Sequence, residues 1–97
     1  MNLHLFIAGT GGVGKALVTQ IGQKRHFLMQ TKGINLIING IINSRRMRLS
    51  QEGIPIEEFF TQESKWIEAD LSEFIRFIQQ LRIHNAVFVD VTASASV

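Results

Sequence analysis

The chain has 97 residues, 45% of them hydrophobic, with a mean hydropathy of +0.14 and a net charge of +2 from ten basic and eight acidic side chains. That is the size and composition of one small folded domain, and it excludes both a disordered tail and the dense basic surface of a nucleic-acid binder. Cysteine is absent, which removes disulfides and thiolate metal sites and is compatible with a cytoplasmic location.

The first element in chain order is the apolar run at residues 3–8, LHLFIA, which stops at a glycine cluster as a buried parallel strand feeding a tight turn does. Beyond it Val13, Leu17, Ile21 and Leu28, widened by Ala16 and Val18, recur at helical spacing and predict a helix to about Gln30, with Gly33 as its exit. Residues 34–42, INLIINGII, are β-branched and apolar and read as a second strand leading into NSRRMR. Gly53 and Pro55 punctuate the next stretch, where a short helix is expected over residues 57–61. Asp70 and Glu73 have the form of a capping box, and Leu71, Phe74, Ile75, Ile78 and Leu81 trace one apolar face, predicting a helix over residues 71–83 that ends near Asn85. Residues 86–94, AVFVDVTAS, complete the series as a third buried strand running into small polar residues.

Strand, helix, strand, helix, strand is an α/β pattern. It predicts a Rossmann-like βαβαβ unit, a three-stranded parallel sheet with flanking helices and right-handed crossovers, forming part of a doubly wound domain that occupies the whole of residues 1–97. Ligands of such sheets bind at the carboxyl ends of the strands, where this chain has its glycine turn, then Ser44, Arg45 and Arg46, and then Thr92, Ala93 and Ser94. His4, His26 and His84 lack metal-ligand spacing, so no metal site is expected. No secretory signal and no run of about 18 apolar residues is present, so no membrane span is expected either.

The glycine turn, FIAGTGGVGKAL at residues 6–17, parses in two ways. As Gly9-x-Gly11-x-x-Gly14 it is a dinucleotide-binding turn; as Gly9, four residues, then Gly14-Lys15, it is most of a P-loop. Both hold phosphate on backbone N–H groups at a helix N-terminus. The aspartate that closes AVFVD at Asp90 adds to the P-loop parse, yet that parse also needs a hydroxyl after the lysine to ligand magnesium, and position 16 is alanine. The dinucleotide parse has all its glycines: Gly9 for the sharp turn, Gly11 for backbone approach to the pyrophosphate, Gly14 for close helix packing. It is the favoured reading, with a P-loop fragment and a glycine turn of purely structural use as the alternatives.

The end of the second strand bears on which dinucleotide. NAD-specific domains commonly offer Asp or Glu there to the ribose hydroxyls; this chain offers Asn43, Ser44, Arg45 and Arg46. A guanidinium fork suits a phosphate, so NADP is expected in preference to NAD, with NAD as the second possibility.

These segments together resemble the N-terminal, cofactor-binding part of homoserine dehydrogenase, above all the kind fused to aspartokinase. The resemblance covers nearly the whole chain and rests on FIAGTGGVGKAL, on GIINSRRM at residues 40–47, on EGI at 52–54 and on FVDVTAS at 88–94. It implies NAD(P)H-dependent interconversion of L-aspartate 4-semialdehyde and L-homoserine, a step toward threonine and methionine. Carried over by position, Thr10, Gly11, Gly12, Val13 and Gly14 hold the pyrophosphate. The Ile42 backbone with Ser44, Arg45 and Arg46 borders the adenosine end, and Thr92, Ala93 and Ser94 face the ribose and nicotinamide.

Two positions depart from the family pattern: Ile42 stands in place of a small alanine, where it would crowd the adenosine, and Val91 stands in place of a frequent cysteine. Asp90 reads as structural. The lysines and acidic residues that the family uses for catalysis and substrate binding have no counterpart, so no catalytic residue is assigned, the chain is expected to be a fragment ending after the third strand, and alone it is expected not to reduce the semialdehyde. Its expected partners are the dinucleotide, the rest of a parent enzyme, including a substrate domain and an aspartokinase domain, and further copies of itself through an unpaired edge of the third strand. The rival function classes are a nucleotide triphosphatase fragment and a non-catalytic domain that senses a dinucleotide.

Overall fold

The computed structural model describes residues 1–9, 11–58, 65–81 and 85–90, with the backbone alone at 11–15. In chain order the elements are β1 (Asn2–Ala8), α1 (Gly11–Lys32), β2 (Asn35–Ile42), β3 (Arg46–Leu49), a 3₁₀ turn at Ile56–Glu58, β4 (Ile67–Glu68), α2 (Leu71–Leu81) and β5 (Ala86–Asp90). They form one sheet in the order β4-β3-β2-β1-β5. β1 runs parallel to both β2 and β5, which is the expected three-stranded parallel centre. β3 and β4 add two antiparallel strands that the sequence reading left out. The origin of β3 is local: the turn after β2 is so tight that the chain folds straight back on itself, and only an antiparallel partner can be reached that way, whereas β4 returns to β3 from a longer connection.

The sheet buries both faces, and β1 alternates between them. Leu5 and Ile7 pack with Val18 of α1 and with Leu36, Ile38 and Ile41 of β2, whereas Phe6 and Ala8 pack with Ile42, Met47 and Phe74 beneath α2. Between Leu5 and Phe6 the register to β2 slips, because Leu5 is level with Ile38 but Phe6 with Gly40. Asn39 is therefore a bulged residue. It is fully buried, and its amide is fully used: Nδ2 donates to the carbonyls of Ser50 (2.9 Å) and Gln51 (3.2 Å), and Oδ1 lies 2.8 Å from His4 Nδ1. Since the amide nitrogen faces two carbonyls, Oδ1 is the acceptor and His4 carries its proton on Nδ1.

Gly40, the next residue, has no room for a side chain. A Cβ there would lie 2.9 Å from Phe74 and 3.0 Å from Phe6, whose rings meet edge to face with centroids 6.1 Å apart. The glycine thus lets the two rings pack directly over β2.

Both helices carry the expected end signals. α1 stops in an αL cap: Gly33, at φ 65°, donates to the Met29 carbonyl, and the following Ile34 donates to that of Leu28. At the start of α2, Asp70 Oδ1 accepts the Glu73 N–H at 3.2 Å, while the Glu73 carboxylate takes Arg76 at 3.1 Å instead of closing the reciprocal half of the box.

The buried stripes differ in detail from the periodicity. In α1 the stripe centres on Val18, with Leu17, Ile21 and Leu28 half-buried and Ala16 exposed; the side chain of Val13 lies outside the described residues. In α2 it comprises Phe74, Phe77, Ile78 and Leu81, leaving Leu71 and Ile75 exposed. The strand at 86–90 is not buried as expected, since Val87 is 39% and Phe88 48% exposed. Among the described residues β5 pairs with β1 alone, so it is a margin of the sheet with layers that cover it only partly. The short helix expected over 57–61 is a 3₁₀ turn at Ile56–Glu58, and residues 59–61, 82–83 and 91–94 of the expected elements lie outside the described residues.

Candidate functional site

Ala8, Ile42 and Asp90, the last residues of the three parallel strands, stand level with one another across the sheet. The described residues that the sequence singled out for phosphate lie just beyond this row. The chain leaves β1 through Gly9, whose N–H donates to the Ile42 carbonyl at 2.9 Å, and α1 begins at Gly11. Gly11, Gly12, Val13 and Gly14 thus form the first turn of α1, where N–H groups have no partner within the helix and the helix dipole is positive. That turn carries no acidic side chain to neutralise it. Thr10 lies outside the described residues.

Ile42 contributes its backbone only. Its side chain is buried with Phe6, Ala8, Met47 and Phe74, so in this fold it fills the core beneath α2 and does not crowd the site. Ser44, Arg45 and Arg46 are all exposed; Ser44 and Arg45 sit on the turn between β2 and β3, and Arg46 opens β3. Among the described residues neither Arg45 nor Arg46 is engaged in an ion pair. The other arginine of NSRRMR behaves differently: Arg48 is buried, and its guanidinium is held by the Glu58 carbonyl (3.1 Å) and carboxylate (3.3 Å).

In the sequence Asn43 counts only as a residue that is not a carboxylate, with no role assigned to it. Its Oδ1 accepts the backbone N–H groups of both Arg45 and Arg46 at 2.8 Å, and its own N–H donates to the Arg46 carbonyl at 2.9 Å. A side-chain carbonyl that satisfies two successive amides fixes the turn and with it the point from which both guanidinium groups extend. The signal was an asparagine directly after an apolar strand, the usual site of an Asx turn. From the other side the Ala69 N–H donates to the Arg45 carbonyl at 3.0 Å, so the segment entering α2 also supports the hairpin.

The structure therefore brings together Gly9, the first turn of α1, the Ile42 backbone and the Arg45–Arg46 turn. Thr92, Ala93 and Ser94 lie outside the described residues. Among the described residues no group of His, Cys, Asp or Glu side chains is arranged to hold a metal ion, and no helix is long and apolar enough to cross a membrane.

No protein-family model and no solved structure matches the chain. Curated proteins do match. A protein of Haemophilus influenzae named bifunctional aspartokinase/homoserine dehydrogenase is 32% identical over 96 residues, which takes in 98% of this chain and 12% of the relative. The chain is similar throughout to part of that bifunctional enzyme. The chloroplastic bifunctional aspartokinase/homoserine dehydrogenase 1 of Zea mays is 32% identical over 99 residues, and enzyme 2 of Arabidopsis thaliana is 33% identical over 97; in each the match takes in 98% of this chain. The chain spans 10% and 11% of the length of those two relatives. The similarity to bifunctional aspartokinase/homoserine dehydrogenase is therefore that of one short segment, and it includes the glycine turn and the β2–β3 hairpin.

Proposed function

We propose that this chain is the NAD(P)-binding segment of a homoserine dehydrogenase, holding NADPH as the hydride donor for reduction of L-aspartate 4-semialdehyde to L-homoserine in threonine and methionine biosynthesis. The observation that carries the reading is the position of the Gly9–Gly14 turn. It joins a parallel strand to the N-terminus of a long helix, level with a turn bearing two exposed arginines, in a chain similar to bifunctional aspartokinase/homoserine dehydrogenase.

The residues present fit the coenzyme. The first turn of α1 offers backbone donors and the positive end of the helix dipole to a pyrophosphate, with no carboxylate in the way. Arg45 and Arg46 are free to engage a 2′-phosphate, which supports NADP over NAD. Bound there, the coenzyme supplies the hydride; the chain's own residues hold and orient it. No residue of this chain is assigned to proton transfer or to the substrate, and those tasks belong to a substrate domain in the rest of the parent enzyme. Among the described residues β5 has a strand partner on one side only, and we assign its other side, at Ala86 to Val89, to a further strand from that parent or from another copy of the chain.

Calorimetry with NADPH, NADH and Mg-ATP tests the reading. NADPH binding most tightly, and Mg-ATP without measurable heat, supports it. Tight Mg-ATP binding would establish the P-loop parse instead, against the missing hydroxyl at Ala16.

A further inference from the structure

A second candidate site lies at the opposite end of the strands. Between the second half of α1, the start of β2 and the loop after β3 is a cavity of about 300 Å³, lined among others by Arg25, Leu36, Ile38, Glu52, Ile54 and Glu57. Leu36 is six residues before Ile42, about 20 Å along the strand from the glycine turn.

Backbone accounting defines what this cavity offers. The Asn35 N–H donates to the Met1 carbonyl, so Asn35 turns its polar groups toward β1. Alternation in a parallel ladder then turns those of Ile37 the same way and those of Leu36 and Ile38 the opposite way. Ile38 confirms the phase, because its carbonyl accepts the Ile54 N–H at 2.7 Å on that far side. β3 does not reach so far: its pairing with β2 covers Gly40 to Ile42 only. The N–H and C=O of Leu36 and the N–H of Ile38 consequently face the cavity with no backbone partner among the described residues. An open stretch of strand edge inside a concave wall is the arrangement used to bind a peptide by strand addition.

The charges at the rim narrow the choice. Glu52 and Glu57 contribute two carboxylates against the single guanidinium of Arg25, all three exposed, above an apolar floor that includes Leu36, Ile54 and Ile56. We propose that this cavity binds one residue of an extended peptide, its backbone paired to Leu36 as an added strand and its cationic side chain accepted by Glu52 and Glu57. The site is independent of the dinucleotide reading, since it shares no residue with the glycine turn.

The test is an amide-resolved NMR titration of the full chain with acetyl-Val-Lys-Val-methylamide and with the matching Glu peptide. The lysine peptide is expected to shift the Leu36 and Ile38 amides saturably, and to bind about three- to five-fold more tightly than the glutamate peptide, the scale of an exposed ion pair. In the Glu52→Gln, Glu57→Gln double variant, whose altered residues are exposed, that preference is expected to vanish while the rest of the spectrum is retained. Absence of a saturable response at Leu36 and Ile38, equal binding of the two peptides, or a preference that survives in the double variant would overturn the proposal.

Discussion

The N–H of Gly9 donates to the carbonyl of Ile42 at 2.9 Å, so the turn that begins α1 is fastened to the end of the neighbouring strand. This bond fixes the distance between two features that the sequence presents some thirty residues apart, the glycine turn and the arginine hairpin. A coenzyme spanning them, as proposed, would meet backbone donors at one end and guanidinium groups at the other.

The hairpin end gives the first expectation. On the proposed function, replacing Arg45 or Arg46 by Ala would remove charge-assisted hydrogen bonds to the 2′-phosphate worth about 1.5–3 kcal/mol, so NADPH affinity is expected to fall roughly ten- to a hundred-fold. NADH affinity is expected to stay within a factor of two or so, because NADH has no 2′-phosphate to lose. Paired titrations of each variant with both coenzymes measure this.

The position of the arginines depends in turn on Asn43. Asn43→Ala deletes the acceptor shared by the Arg45 and Arg46 amides, and loosening of the turn is expected to cost about 1 kcal/mol of stability together with part of the NADPH preference. Asn43→Asp keeps the acceptor and is expected to keep the stability, while its carboxylate opposes a 2′-phosphate. Urea unfolding beside coenzyme titration separates the two effects.

Close packing at Gly40 makes a different demand. Gly40→Ala places a methyl group 2.9 Å from the Phe74 ring and 3.0 Å from that of Phe6, and overpacking of this kind costs about 1–3 kcal/mol. The expected result is a lower urea midpoint with an unchanged slope, because the same surface is buried once the rings have shifted.

Asn39 is expected to be less replaceable still. Asn39→Leu strands the Ser50 and Gln51 carbonyls and the His4 Nδ1 proton, each buried unpartnered group costing about 1–3 kcal/mol. Asn39→Asp conserves shape but turns an amide donor into a second acceptor facing two carbonyls. Both variants are expected to unfold at lower urea than Asn39→Gln, which retains the donor.

The parallel centre of this fold was legible because long apolar runs and helical periodicity announce it: β1, β2, α1 and α2 all lie where the pattern puts them, Gly33 ends α1 as read, and Asp70 caps α2 although the Glu73 half of the box does not close. β3 and β4 were not legible. A strand of four residues containing Arg46 and Arg48, and one of two residues, are too short to carry a period of their own; β3 exists because the Asn43 turn returns it along β2, and β4 because it pairs with β3. The same limit explains Leu71, Ile75 and Phe88. Periodicity marks which residues share a face, whereas burial depends on what lies opposite, and β5 has a strand on one side only among the described residues. At the candidate site, residue type alone proposes Gly9, Gly11, Gly14, Arg45 and Arg46, whereas the Asx turn of Asn43 and the removal of the Ile42 side chain into the core follow from three-dimensional contacts.

The most direct measurement is an amide-resolved NMR titration of the chain with NADPH, and separately with Mg-ATP. Our reading expects saturable NADPH-induced shifts concentrated at Gly9, Gly11, Gly12 and Gly14 and at Arg45 and Arg46, with no such response to Mg-ATP. A response of the glycine amides to Mg-ATP while NADPH leaves them unmoved would contradict it.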